Sequence, residues 1–492
     1  MPWIASSPPS PAASSPCTSP RRTTPPPSLV TYIPPLIDGA CGTVPRSRQP
    51  LSTLLRNDAA AMLRLAAPTL LLADMRRLWR ADSWADACDM LLQATLSLFE
   101  LAMVLLAAPL WVCLPGAVFA LWLSANMAFV AGVSWLLNGR ERVVRCTDGL
   151  DGWSRAPEAV DERWIFIGGS EKSSRFLLRS ALPHLSKLFC RPITAIRVPS
   201  YGMLADAGMA LLLRSVAFPS SSSRHLYDHV RAALLDPRSS KVIVLADGIG
   251  SVHLSRTLGQ LYADIIPDKI AKLEIYTFGA AAGEFLMPLG EGLKDQSPPP
   301  HGGFNPARTG PHMEHFAHER DSLASFGILR AVREDLEGRF CGGVFVLRDA
   351  AGTHPPIRFP AMAMSITDYL STLFPNRTAS AAGGARSILD SIMSIDRDLA
   401  EKREFAAMAN YASATSAKKG SKRLSWTGLG ATVNGENGVM DGVAGLEMAR
   451  KGCKDCDGHR GTEVSWLVRY VNIGQYDDGT TRTADASPAW GR

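Results

Sequence analysis

The hydrophobic pattern is most regular in the middle of the chain. Residues 242–246 form an unbroken apolar run rich in β-branched side chains, which is typical of a buried parallel strand. Apolar residues then recur at helical spacing over 251–265, and Pro267 ends this helix. Residues 273–278 then supply a second predicted strand. A strand, a helix and a strand in this order predict a βαβ unit and therefore a parallel sheet.

The same alternation extends to both sides of this unit. Further strand patterns lie at 164–167, 193–198 and 343–347, and helical patterns lie near 204–213 and 226–235. Alternating strands and helices are the signature of a doubly wound, mainly parallel sheet. We therefore predict an α/β domain over residues 160–375.

A different pattern precedes this domain. Residues 91–137 are almost wholly apolar, and Glu100 is their only formal charge. The stretch is about twice the ~20 residues that cross a bilayer core, and Pro115 and Gly116 divide it near its middle. It predicts a membrane hairpin of two helices, at about 91–113 and 117–137, within a helical region that covers 51–145.

Flanking charges orient the hairpin. Three arginines precede it and three follow it: Arg76, Arg77, Arg80, Arg140, Arg142 and Arg145. The positive-inside rule then predicts an integral membrane protein whose α/β domain faces the cytosol, with Trp111, Trp122 and Trp135 as interfacial anchors. Two alternatives stay open at this point: a re-entrant hairpin that enters one leaflet, and a buried helical pair in a soluble core.

The two ends of the chain have other compositions. Residues 1–50 hold thirteen of the 34 prolines, so we expect them to be disordered rather than an amphipathic transit peptide. Beyond the domain, residues 376–492 are expected to form one helix, over about 386–409, and a mobile tail rich in Gly and Ser. With 46% hydrophobic residues, the chain as a whole can bury a core.

Charge and cysteine usage exclude several classes of function. The net charge of +6 is not gathered into basic runs, so nucleic-acid binding gains no support. The nine cysteines are scattered and odd in number, which favours a reducing compartment. Cys453, Cys456 and His459 lack a fourth zinc ligand. Three other histidines lie at three-residue spacing earlier in the chain, and we interpret them as solvent-exposed loop residues: His312, His315 and His318. We predict no metal and no cofactor.

The turn after the first central strand carries the candidate chemistry. In α/β-hydrolases a nucleophile elbow of the form small-x-nucleophile-x-small lifts a serine above the sheet at this junction. Here the five residues are Ala246-Asp247-Gly248-Ile249-Gly250. Small residues stand at both ends of the pattern, whereas Gly248, which has no side chain, stands at the nucleophile position.

The order of segments resembles a fungal group of lipase-like, serine-esterase-like α/β-hydrolases that are mostly uncharacterised. The matching pieces cover roughly the middle half of the chain. They are ERWIFIGG (162–169), RPITAIRVPSYG (191–202), ALLDPRSSKVIVLADGIGS (233–251), KLEIYTFGAAA (272–282) and MEHFAHERDSLASFGIL (313–329). The chain departs from the group at the motif that holds the nucleophile, because Asp-Gly-Ile-Gly-Ser at 247–251 replaces the group's His-Ser-Gln-Gly-Gly.

The resemblance implies roles for particular residues. Asp321 falls where the family has its catalytic acid, although helix N-capping is a rival role. His354 is a loose match for the catalytic histidine, because Met362-Ala363 stand where the family has Gly-His. The oxyanion-hole amides would come from three residues, of which the two glycines also suit a simple turn: Gly168, Gly169 and Ile249.

Three functional hypotheses follow. The first is a membrane-anchored pseudohydrolase that binds or scaffolds, with the bilayer and a lipid or ester ligand as partners. The second is an active ester or lipid hydrolase with another nucleophile, for which Ser251 is the nearest hydroxyl, although its place favours helix-terminal hydrogen bonding. The third takes Gly248-Ile249-Gly250 as a dinucleotide-binding turn. His253 occupies the place of that fingerprint's third small residue, and no acid ends the next strand.

Overall fold

In the part of the chain that the structure describes, nine strands form one mixed, mostly parallel sheet. The computed structural model describes residues 29–35, 50–66, 84–138, 141–147, 161–168, 181–216, 220–287, 310–335, 339–348, 364–374, 388–396, 398–403 and 464–471. The strands are β1 (Val30–Ile33), β2 (Val143–Cys146), β3 (Glu162–Gly168), β4 (Ile193–Arg197), β5 (Lys241–Asp247), β6 (Leu273–Phe278), β7 (His312–His318), β8 (Gly343–Leu347) and β9 (Met393–Ile395).

Helices cover the sheet on both faces. They are α1 (Leu51–Ala66), α2 (Trp84–Cys113), α3 (Gly116–Asn138), α4 (Leu182–Phe189), α5 (Met203–Ser215), α6 (Ser221–Leu235), α7 (Gly250–Asp264), α8 (Pro267–Ile270), α9 (Ser322–Phe326), α10 (Ile328–Arg330) and α11 (Ile366–Leu373). A π-helical turn follows at Ala331–Asp335, and 3-10 helices lie at Ile388–Asp390 and Leu467–Tyr470.

The strand order is β2-β4-β3-β5-β6-β7-β8-β1-β9. The six strands from β4 to β8 in this order are mutually parallel. At the two sides, β2 runs antiparallel to β4 and β1 runs antiparallel to β8. The predicted α/β class with a mainly parallel sheet is confirmed.

The central βαβ unit is also confirmed. Strand β5 lies between β3 and β6, and Val244 pairs with Ile165 on one side and Ile275 on the other. Its residues from 242 to 246 are fully buried because helices cover both of its faces. This double burial explains the continuous apolar run. Helix α7 ends at Asp264, and Pro267 becomes the first residue of α8.

The sheet separates two apolar cores. Side chains of α5, α6, α7 and α9 pack on one face, together with part of α1. Helices α4 and α11 and the 3-10 helix Leu467–Tyr470 pack on the other. Helix α1 is fixed by a buried carboxylate, since Asp58 lies 3.2 Å from Nε of Arg214 and 3.1 Å from a guanidinium nitrogen of Arg330. The segment before the hairpin thus belongs to the α/β unit.

Helices α2 and α3 form the predicted apolar hairpin. The stretches Leu91–Cys113 and Gly116–Asn138 are both long and apolar enough to cross a membrane, with mean hydropathies of 2.1 and 1.7. Only 11% of each apolar window is buried. A helical pair in a soluble core would be buried over most of its length, so that alternative is not supported. Arg76, Arg77, Arg80 and Arg140, on which the predicted orientation depends, lie outside the described residues.

Four strands differ from the sequence interpretation. Strand β1 lies inside the segment 1–50 that we expected to be disordered. Strand β9 lies inside the expected helix 386–409, of which residues 398–403 are helical. Strand β2 ends the expected helical region. Strand β7 replaces the expected histidine loop, and nearly all of its residues are buried. These strands are three to seven residues long, so the composition of the longer surrounding window hides them.

The cysteines follow the expectation only in part. Four described cysteines form no disulfide: Cys88, Cys113, Cys146 and Cys190. Cys341 is disulfide-bonded, which the expectation of a reducing compartment did not include. Cys453, Cys456 and His459 lie outside the described residues. Part of the expected mobile tail is described, and there the expectation is wrong, because residues 464–471 contain the 3-10 helix Leu467–Tyr470 that packs on the sheet.

Candidate functional site

The candidate site lies at the carboxyl edge of the parallel strands, where the strand order reverses. From β3 the chain passes to β4 on one side and then returns to β5 on the other. Ligands of open α/β sheets bind in the crevice at such a switch point. Gly168 ends β3 and Asp247 ends β5 at this edge. Gly169, the other glycine of the expected oxyanion loop, lies outside the described residues.

A tight turn joins β5 to α7 without an intervening loop. Gly248 has a left-handed backbone with φ of +46°, which glycine adopts at little cost. Its amide donates to the carbonyl of Phe278 at 2.9 Å, which ties the turn to the end of β6. Its carbonyl accepts from the amides of Ser251 and Ala281, both at 3.2 Å. Gly248 therefore occupies a well-fixed position above the sheet edge.

Close packing explains why the residues at both ends of the turn are small. Ala246 is fully buried in β5. A Cβ on Gly250 would lie 2.5 Å from the carbonyl oxygen of Ile167 in β3. Because that oxygen belongs to a central strand, it has no room to move aside. The first turn of α7 can thus approach β3 only because residue 250 has no side chain.

The hydrogen bonds of Ser251 give it a structural role. Its hydroxyl donates to the carbonyl of Gly248 at 2.6 Å and accepts from the amide of Ala282 at 3.0 Å. The residue is fully buried. These bonds fix the start of α7 against the segment after β6, as its place in the first helical turn indicated.

Asp321 follows β7 and caps α9, so the N-cap role that the sequence suggested is observed. Its Oδ1 accepts from the amides of Leu323 at 3.0 Å and Met364 at 3.4 Å. Its Oδ2 accepts from the hydroxyl of Tyr369 at 2.6 Å. Burial raises the pKa of Asp321 to about 7, although these hydrogen bonds act in the opposite direction.

Glycine also allows the end of β6 to reach this carboxyl. Gly279 has a φ of +57°, and a Cβ there would lie 2.2 Å from Oδ2 of Asp321 and 3.2 Å from the hydroxyl of Tyr369. Burial raises the pKa of Tyr369 well above its ordinary value, and the charges of Asp321 and Asp247 add to this. The Tyr369 hydroxyl therefore stays a donor. The ends of β5, β6 and β7 meet around two carboxyl groups and one tyrosine.

Among the described residues, the hydrogen-bond partners of the Asp321 carboxyl include no histidine side chain; His318 is bonded to Asp321 only through its carbonyl, which accepts from the Asp321 amide at 3.0 Å. His354 lies outside the described residues, as do Met362 and Ala363. The main-chain amide of His318 donates to the Tyr369 hydroxyl at 3.0 Å, while its Nδ1 accepts from the Arg320 amide at 3.2 Å. The partner of the acid is thus a tyrosine that sequence reasoning did not single out.

The other histidines of β7 support the sheet rather than a metal. His315 accepts a hydrogen bond from Thr277 at 2.7 Å and donates to the carbonyl of Cys341 at 2.8 Å. Burial lowers its pKa to about 3, so it is neutral. His312 stacks on Trp466 and lies 2.8 Å from Glu314. Within the described residues, no group of three or more His, Cys, Asp or Glu side chains could hold a metal ion.

A serine–histidine contact joins the first turn of α7 to the start of α6. Nδ1 of His253 in α7 is 2.9 Å from the hydroxyls of both Ser220 and Ser223. Ser220 also caps α6, where it accepts from the amide of Ser223 at 3.0 Å. Burial lowers the pKa of His253 to about 4. The sequence showed this histidine only as the residue that breaks the dinucleotide fingerprint, and its bulk at that position agrees with that exclusion.

No protein-family model matches the chain, and no curated protein matches it. The functional argument therefore rests on the geometry of these residues.

Proposed function

We propose that this protein is a membrane-anchored pseudohydrolase: an α/β-hydrolase-like domain, facing the cytosol, that binds a lipid or ester ligand or a partner protein instead of cleaving a substrate. The single observation that carries this proposal is the glycine at the nucleophile position. Gly248 stands in a left-handed turn between a central strand and its helix, with small residues on both sides. This is the setting of a nucleophile elbow, and it holds no nucleophile.

The expected cost of that replacement is large. Removal of the serine from a catalytic triad lowers the rate by about six orders of magnitude, and about 10³-fold to 10⁴-fold acceleration over water remains. The residual rate comes from binding and from oxyanion stabilisation. A domain that retains only binding and oxyanion stabilisation acts as a binding protein.

The environment of Asp321 supports the same conclusion. In a working triad the acid orients a histidine. Here Oδ2 accepts from Tyr369, and Oδ1 accepts from two main-chain amides. The carboxyl is thereby satisfied as a structural group. A tyrosine in this place cannot shuttle a proton as an imidazole does, because its pKa is raised well above the ordinary value.

The apolar hairpin supports membrane attachment and a ligand of lipid character. Its two helices expose large apolar side chains over most of their length. An apolar surface of this extent on a soluble protein marks a membrane or a protein interface.

Ester hydrolysis tests the proposal. The full chain in detergent micelles or vesicles should hydrolyse chromogenic short-chain and long-chain esters no faster than heat-denatured protein. Gly248→Ser should restore a hydroxyl without restoring the rate, since the acid is already occupied. Gly248→Ala is the matched control for backbone strain at the positive φ. A rate in the Gly248→Ser variant that His354→Ala removes would show that a working base converges on the site.

A second candidate function is an active hydrolase that uses Ser220. The observation that favours it is the 2.9 Å contact between the Ser220 hydroxyl and Nδ1 of His253. Ester turnover by the unmodified protein that is lost in Ser220→Ala and retained in Ser251→Ala would support this candidate against the pseudohydrolase.

A further inference from the structure

We propose that the α2–α3 hairpin enters one leaflet of a phospholipid bilayer and does not span it. The inference rests on the membrane attachment proposed above and specifies its geometry. It follows from where the α/β domain contacts the hairpin: about halfway along α2, at the only charged residue of the apolar stretch.

Glu100 is held by the start of α5. Its side chain is 3% exposed, and its Oε2 lies 3.4 Å from the amide of Ala205. A Cβ on Gly202, which precedes α5, would lie 2.4 Å from Oε1 of Glu100. Gly202 also has a φ of +109°, a conformation that side chains rarely adopt. The carboxylate thus sits against the positive end of the helix dipole, where negative charge is stabilised.

The other helix of the hairpin is attached at its end. The side-chain amide of Asn138 donates to the carbonyl of Ser200 at 2.6 Å, and the Ser200 amide donates back to the Asn138 oxygen at 2.9 Å. The buried residues of α3 all lie in its second half, at Val130, Ser134 and Leu137. Both helices are therefore fastened to the loop between β4 and α5.

Beyond these contacts the hairpin stands free of the domain. None of the residues from 101 to 129 is buried, and their exposed side chains include Leu105, Val112 and Leu121. Cys113, at the end of α2, lies thirteen positions after Glu100, and at 1.5 Å per residue this distance is about 20 Å. The hydrocarbon core of a bilayer is about 30 Å thick. The free part of the hairpin is long enough for one leaflet and too short for two.

A spanning hairpin conflicts with the contact at Glu100. If α2 entered the bilayer at Leu91, Glu100 would lie about 14 Å below the surface, near the midplane. The start of α5 and the polar loop that holds Glu100 would then lie in hydrocarbon as well. Trp111, near the tip, would suit a distant interface. The free energy gained by placing Trp111 at an interface is small compared with the free-energy cost of placing polar main chain in lipid.

The surface around the base of the hairpin fits the headgroup region. Tyr201, Met209 and Leu212 are 36–48% exposed, and they lie on or beside the helix that holds Glu100. Trp135 is exposed one turn before the Asn138 attachment, where an interfacial tryptophan is expected. The loop that carries both attachments follows β4, a neighbour of the crevice between β3 and β5. A lipid ligand could therefore reach the crevice from the leaflet that the hairpin occupies.

Depth-dependent fluorescence quenching tests the inference. Cys113 at the tip is an exposed free cysteine. A full-length variant whose other reactive cysteines are serine would carry a fluorophore there and be reconstituted in phosphatidylcholine–phosphatidylserine vesicles. We expect nitroxides near the methyl end of the acyl chain to quench this probe more than nitroxides near the headgroup. Stronger quenching by the headgroup-end nitroxides would place the tip at an interface and overturn the inference.

A second measurement uses the unmodified chain, in case the cysteine variant fails to fold. An impermeant maleimide trapped inside the vesicles should leave Cys113 unmodified, whereas modification from the inside would show that the hairpin spans. Flotation with the vesicles separates the two proposals. A chain that does not float contradicts membrane attachment itself, whereas one that floats and reacts from the inside contradicts only the one-leaflet geometry.

Discussion

Two glycines of the candidate site are required for different physical reasons. Gly248 supplies a left-handed backbone at the turn after β5, and Gly250 supplies empty space against the carbonyl of Ile167. The pattern of small residues was visible in the sequence, where its spacing resembles that of a nucleophile elbow. Tyr369 was not visible, since nothing near it in the sequence indicates that it meets Asp321, 48 positions away.

Substitution of Gly250 tests the close approach of α7 to β3. Gly250→Ala places a Cβ 2.5 Å from a main-chain oxygen, so we expect a loss of about 1–3 kcal/mol in the free energy of unfolding. Gly259→Ala is the control on the same helix, where a Cβ meets no atom within 4 Å. It should be neutral or stabilising by up to about 1 kcal/mol. Denaturant unfolding in detergent measures both, and equal effects would contradict the packing argument.

The buried carboxyl of Asp321 predicts a pH dependence of stability. Its pKa is raised from 3.8 to about 7 in the folded protein, so between these values the folded state holds a proton that the unfolded chain has lost. The free energy of unfolding should therefore fall as the pH rises from about 4 to about 7. Asp321→Asn should remove this component.

Asp268→Asn, at an exposed position of α8, is the control for the Asp321 variant. The denaturation midpoints of both variants and of the unmodified protein, measured across that pH range, test this prediction. An unchanged pH profile in Asp321→Asn would show that the carboxyl is not protonated in the folded state.

Among the elements, those with one clear period were predictable. The unbroken apolar runs of β5 and β8, and the mainly apolar segment of β6, predicted buried parallel strands. The structure places all three within one residue of the expected bounds. Strand β7 was not predictable from its residues. It alternates His312, Glu314 and Phe316 with Met313 and His315. The side chains of Glu314 and His315 are hydrogen-bonded to Ser465 and to the carbonyl of Cys341, which are distant in sequence. Local pattern cannot reveal a polar strand that is buried through tertiary hydrogen bonds.

The attachment of the hairpin to α5 predicts a local effect of Glu100. Glu100→Ala should remove about 1–2 kcal/mol of interaction with the start of α5. Amides in the first turn of α5 should then exchange with deuterium roughly tenfold faster. Ser124→Ala is the control, since the Ser124 hydroxyl bonds only to its own helix at the exposed tip. Equal exchange in the two variants would contradict the attachment.

At the scale of the whole molecule, an apolar hairpin and an α/β unit share one polar loop. The sequence predicted both parts, because 47 residues with one charge and an alternating βα pattern are strong signals. It could not predict how the two parts join, because nothing in the sequence around Asn138, Ser200 and Gly202 indicates that these residues form the contact between them.

Membrane attachment itself has a direct test. Alkaline carbonate extraction should leave the full chain in the membrane pellet, and deletion of residues 91–137 should release it. Deletion of 286–309, an equally internal segment outside the hairpin, is the control for a general folding defect. Release of the full chain would show that the hairpin packs against protein instead of lipid.

Reaction with a fluorophosphonate probe tests the central claim most directly, because such a probe labels any serine that a neighbouring base has activated. The full chain should not be labelled before or after denaturation, since Gly248 offers no hydroxyl and the Ser251 hydroxyl bonds only to main chain. The folded unmodified protein, analysed by peptide mapping, is the decisive sample. Labelling at Ser220 or Ser251 that disappears in the matching alanine variant would contradict the pseudohydrolase account.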